Sequence, residues 1–95
     1  MRNSNQDRMI SQLWQAAHDY EYSEISGSAI GLVTIGVLQS KPKCLAVAAW
    51  QKSIWSLYYQ RKALYASNKT YPSMDFSSCG KIPYTVPELM EEIGI

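Results

Sequence analysis

The sequence predicts an all-α protein: a long antiparallel helical hairpin with a short C-terminal helix folded back on it, two such hairpins pairing into a helical bundle. Three patterns carry this prediction. Between Lys43 and Tyr65, the residues Val47, Trp50, Ile54, Leu57, Arg61 and Leu64 alternate three- and four-residue steps, the spacing of a helix seam. Near the start, Met9, Ile10, Leu13, Trp14, Ala17 and Tyr20 recur with the same helical period. Near the end, Thr85-Val86-Pro87-Glu88 has the form of a capping box with proline in the first turn, and Gly94 is placed to stop the helix it opens.

Taken in order, the first helix is expected over 5–39. Ser4 followed by Asp7 supplies its start, and Gln12, Gln15, Asp19 and Ser23 fall largely off the apolar stripe. From Gly27 to Leu38 the chain is apolar or small all the way round. Its glycines and β-branched residues make a buried strand a rival there, but a strand needs a partner, and the other strand-like run, Ile82 to Val86, contains Pro83. The reading is therefore helix. Gly27 and Gly31 share one helical face and would let another backbone approach closely.

Gln39 to Lys43 reads as a turn, because Pro42 lacks an amide donor and suits the first turn of a following helix. The second helix is expected over 42–66. Its seam has a neighbouring line, Cys44, Ala48, Trp55, Tyr58 and Tyr59, so its apolar arc exceeds half the circumference, against roughly 100° for an ordinary surface helix. One neighbour cannot cover that arc. The arc marks either the central helix of a small bundle or a self-associating face, and the interface residues expected on the second reading are Gly27, Gly31, Trp50, Trp55, Tyr58 and Tyr59. Folding the hairpin about Lys41 places Glu21 opposite Arg61, with Lys62 in reach, which predicts an ion pair fixing the register. Residues 67–84 form an extended segment whose apolar beads, Tyr71, Met74, Phe76, Ile82 and Tyr84, suit draping over the helices. A short helix over 86–93 completes one helical domain spanning 1–95.

Composition narrows the chemistry. Nine Lys and Arg against eight acids give no field for recruiting nucleic acid or an anionic membrane, and Lys41 and Lys43 lie far from Arg61, Lys62 and Lys69 along the second helix. The Gly27–Leu38 run is too short to span a bilayer. No apolar leader follows Met1, so a cytoplasmic location is expected, and with it reduced Cys44 and Cys79 and a chance match at the Asn68-Lys69-Thr70 glycosylation triplet. Three Trp and seven Tyr beside one Phe suit half-buried positions and interfaces.

Catalytic patterns are weak. His18 is the sole histidine, and nothing in the sequence places it beside Ser77, Ser78 or Cys79. His18 and Glu21 share a helical face, but the order is reversed from the Glu-x-x-His of carboxylate-bridged metal bundles, and the second helix holds no acid. No catalytic residue, metal site or cofactor is expected. The leading expectation is a non-enzymatic structural or interaction protein that associates with itself, of a kind found in phage particles and other mobile-element assemblies. The alternative is a small-molecule or metal-binding module using a Trp/Tyr-lined pocket between the second helix and the Tyr71–Tyr84 segment.

Overall fold

A computed structural model describes residues 4–68 and 70–95, and the architecture is all-α. Four α-helices follow in order: α1 (Ser4–Glu24), α2 (Gly27–Leu38), α3 (Pro42–Asn68) and α4 (Val86–Ile93), with one turn of 3₁₀ helix at Ser77–Cys79. The side-chain start expected of Ser4 and Asp7 lies outside the described residues, as does Lys69.

The single helix expected over 5–39 is two helices. Ile25 N–H still donates to Glu21 O, but Ser26 is extended (φ −77°, ψ 160°) and its hydroxyl accepts from Ala29 N–H, so it acts as the N-cap of a new helix. A serine followed by Gly27 and Ser28 favours that restart over continuation. The rival strand reading of residues 28–38 is thereby excluded. α2 is uncharged along its whole length and ends in a Schellman motif, with Lys41 N–H on Gly36 O (2.8 Å) and Ser40 N–H on Val37 O (3.0 Å). Ser40 takes the left-handed position of that motif at φ 56°, where glycine is usual. The chain bends by 120° between α2 and α3.

α3 is the hub: α2 packs on it across the bend, and α1, beyond the break at Ser26, lies along it as well. α1 and α3 run antiparallel: Tyr20 Oη and Trp50 Nε1 meet on one acceptor, Gly80 O (2.6 and 2.8 Å), while Trp14 reaches Trp55 further along. The hairpin register is therefore about three turns from the one expected. Glu21 faces Gln51 and Trp55, not Arg61. Arg61 instead donates through Nη1 to the carbonyls of Ser73 (2.9 Å) and Asp75 (2.7 Å) and lies over the Phe76 ring, and Lys62 lies over Tyr58 and Tyr59. The expected Glu21–Arg61–Lys62 ion pair is not formed, since the bend at Ser26 removes the geometry it relied on.

The seam of α3 is buried at Val47, Trp50 and Ile54, half-buried at Leu57 and Arg61, and exposed at Leu64; Tyr58 and Tyr65 replace it toward the C-terminal end. Opposite it lie Leu13 and Ala17 of α1, with Ala29 and Val33 of α2. The extended segment drapes through Phe76, which is fully buried, and through the half-buried Ile82 and Tyr84, whereas Tyr71 and Met74, expected to drape with them, are exposed. α4 is tied down at both ends of its helix: Thr85 and Glu88 form the capping box, Gly94 sits left-handed at φ 94°, and Leu89 is fully buried. From its last turn, the Glu92 carboxylate accepts from Lys43 N–H (2.7 Å) and Cys44 N–H (3.1 Å), capping the start of α3.

Candidate interaction surface

The extended segment divides the surface of the α1–α3 pair into two unlike flanks. One flank carries Tyr20, Glu24, Trp50 and Arg61, and the segment covers it by hydrogen bonds to Gly80 O, Ile82 N–H and the Ser73 and Asp75 carbonyls. Desolvation pushes the Tyr20 phenol above its ordinary range, and the negative Glu24 beside it adds to the shift.

On the other flank, four-residue steps along α1 align Trp14, His18 and Tyr22, and α3 contributes Trp55, Tyr58 and Tyr59. These six rings make a continuous row. Tyr22 stacks on His18 at 4.1 Å between centroids and His18 on Trp14 at 5.0 Å; Trp14 then meets Trp55 at 6.0 Å, and Trp55 meets Tyr58 edge-on at 5.6 Å. Tyr59 closes the row edge-on to Tyr58 at 4.9 Å, with the Lys62 ammonium over both tyrosines. Tyr59 is 62% exposed, Tyr22 45% and Trp14 43%, although rings of this size ordinarily gain most by burial. Beneath the row, Glu21 is buried and accepts from Gln51 Nε2 (2.9 Å) and Trp55 Nε1 (3.3 Å). Asp19 Oδ1 accepts from Gln15 Nε2 and lies 3.5 Å from His18 Nδ1.

The residues expected at an interface divide accordingly. Trp55 is half-buried and Tyr59 exposed within the row. Trp50 and Tyr58 are buried inside the chain, Trp50 with its indole N–H satisfied by Gly80 O, and burial with Tyr59 alongside raises the Tyr58 phenol. Gly27 borders the row, 3.7 Å from the Tyr22 ring when given a Cβ, and Gly31 faces open space. The close approach expected of those two glycines occurs at Gly36, where a Cβ would overlap the Cys44 side chain. Trp14 and Tyr22 are the row members that the sequence reading placed elsewhere or passed over; the signal was the 14–18–22 spacing.

Other chemistry finds less support in the geometry. His18 is held between Trp14 and Tyr22, while Ser77, Ser78 and Cys79 belong to the segment on the opposite flank. Among the described residues no group of three or more His, Cys, Asp or Glu side chains could hold a metal ion. Both thiols are free, and Cys44 is raised by burial and by the neighbouring Glu92 carboxylate. A depression does form between the end of α3 and the extended segment, lined by Arg61, Leu64, Asn68 and residues 70–73, but its one aromatic is Tyr71 and it holds no tryptophan. No single helix among the described residues is long and apolar enough to cross a membrane. Comparison with protein-family models, with curated proteins and with solved structures finds no match to the chain.

Proposed function

We propose that this chain is a non-enzymatic structural or interaction subunit that associates with itself through the aromatic row of α1 and α3. The observation that carries the proposal is the asymmetry of the pair: the extended segment covers one flank and leaves the ring-lined flank open. Tyr and Trp are enriched at interface cores because they bury large apolar area at low entropic cost and keep a polar tip for a hydrogen bond.

A second copy suits this face because an isologous contact sets ring against ring in a four-helix arrangement, the common end point for helical hairpins. Analytical gel filtration tests the proposal. The wild-type chain is expected to elute progressively later on dilution through the micromolar range, and Tyr59→Glu, which places a charge at the most exposed ring, is expected to elute as the small species throughout with unchanged helix content. A wild-type elution volume that is small-species at every concentration and identical to that of Tyr59→Glu would refute it.

A further inference from the structure

Arg61 is a half-buried cation of α3 whose guanidinium is only partly engaged. Nη1 donates to the carbonyls of Ser73 (2.9 Å) and Asp75 (2.7 Å), while the Nε and Nη2 donors meet no acceptor among the described residues. Nor does any acid among those residues stand within ion-pair distance of it. Asp75 lies in the field of the guanidinium, but its carboxylate accepts from Ser77 N–H (2.8 Å) instead. The open Nε–Nη2 edge carries the two parallel N–H groups that hold a carboxylate bidentately.

Arg61 also lines the depression at the end of α3, a space of about 220 Å³. Along the helix, Arg61, Leu64 and Asn68 follow at three- and four-residue steps and share one face, with residues 70–73 of the extended segment completing the lining. This lining is of two kinds. Asn68 Oδ1 accepts from Thr70 N–H, which leaves the Nδ2 donors open beside those of Arg61, and none of the lining residues is acidic. Leu64, Tyr71 and Pro72 are apolar, and Leu64 is 54% and Tyr71 74% exposed, so covering them is favourable. A cavity of about 150 Å³ accepts benzene, so the depression has room for one ring and an attached carboxylate.

From these observations we propose that the depression binds a small single-ring carboxylate, its acid on the Nε–Nη2 edge of Arg61 and its ring against Leu64, Tyr71 and Pro72. An inorganic anion leaves the apolar lining uncovered, and a neutral ring leaves the guanidinium edge unpaired; a ring carboxylate satisfies both. The macrodipole of α3 disfavours an anion at the C-terminal end. Arg61 lies about two turns before that end, and a bidentate charge-assisted pair outweighs the screened end effect. The site shares no lining residue with the aromatic row and does not depend on self-association.

Benzoate titrated into the isotope-labelled chain at neutral pH, followed by amide chemical shifts, tests the proposal, with benzamide as the uncharged ring and inorganic phosphate as the ringless anion. Benzoate is expected to saturate with a Kd of about 1 mM or tighter, its shifts centred on Arg61, Leu64 and residues 70–73, and both controls to bind about tenfold more weakly or worse. Leu64→Glu sets a carboxylate three residues from Arg61 at an exposed position and is expected to abolish benzoate binding with helix content unchanged. Ala49→Glu, at an exposed position of the same helix outside the depression, is expected to keep wild-type affinity. The absence of saturable shifts at the lining residues up to about 10 mM benzoate would overturn the site. Equal affinity for benzoate and either control would overturn the ligand class, and wild-type affinity in Leu64→Glu would overturn the role of Arg61. Should Leu64→Glu lose helix content, Asn68→Asp decides in its place: weakening of about tenfold upholds the site and unchanged affinity overturns it.

Discussion

Gly36 is the residue on which the joint between α2 and α3 depends. Its Cα lies so close to Cys44 that an added methyl would overlap Sγ, with Ile93 Cδ1 at 3.3 Å on the α4 side. Cys44 is not free to retreat: it is fully buried, and its amide is held by Glu92. Gly36→Ala is therefore expected to lower stability by about 3 kcal/mol, at the upper end of ordinary overpacking, measured as a fall in urea midpoint at unchanged m-value. Gly31→Ala, with open space above it, is expected to be neutral or slightly stabilising. Three of the glycines sit in one apolar run, and the spacing pointed to Gly27 and Gly31. What distinguishes Gly36 is a residue eight positions ahead, across a turn whose angle no local pattern encodes.

At the scale of the elements, the helices themselves were legible and their breaks less so. The seam of α3, the start of α3 at Pro42 and the capping box of α4 follow from spacing and side-chain chemistry that act within a few residues. The interruption at Ser26 has a local signal too, an N-cap serine before Gly27, but the helical periodicity on both sides masks it. Missing it shifts the hairpin by about three turns and misplaces its cross-helix partners, Glu21 included. The docking of α4 offers a measurable consequence. Desolvation alone would raise the Glu92 carboxyl, but hydrogen bonds from the Lys43 and Cys44 amides and the Lys43 charge outweigh it and hold the group below the usual carboxylate range. A carboxyl depressed by folding contributes its full stabilisation above its unfolded value, about pH 4.3, and loses it as pH falls through the lower folded value. Glu88, lowered by the Thr85 amide and hydroxyl, acts in the same direction. The thermal midpoint is expected to fall between pH 6 and pH 3, and Glu92→Gln to narrow that fall by lowering the midpoint at pH 6 more than at pH 3. Equal pH profiles for the two proteins would remove Glu92 from the account.

For the whole molecule, the decisive feature is which side of the α1–α3 pair the extended segment covers. The residue spacing predicted that α3 has more apolar surface than one neighbour can bury, and the apolar beads of residues 71–84 pointed to a cover. Neither showed the side. That choice is made by long-range contacts, Arg61 on the Ser73 and Asp75 carbonyls, Tyr20 and Trp50 on Gly80 O, and Phe76 inserted beneath the segment. With the Trp50 flank closed, the rings from Tyr22 to Tyr59 form the open face, and α1 supplies half of it through Trp14, His18 and Tyr22, which a reading centred on the second helix could not weigh. Self-association through that face is the central claim, and sedimentation equilibrium tests it most directly. The chain mass is 10.8 kDa. At tens of micromolar the account predicts a weight-average mass approaching twice that value and falling toward it on dilution; a mass of one chain at every concentration would contradict it.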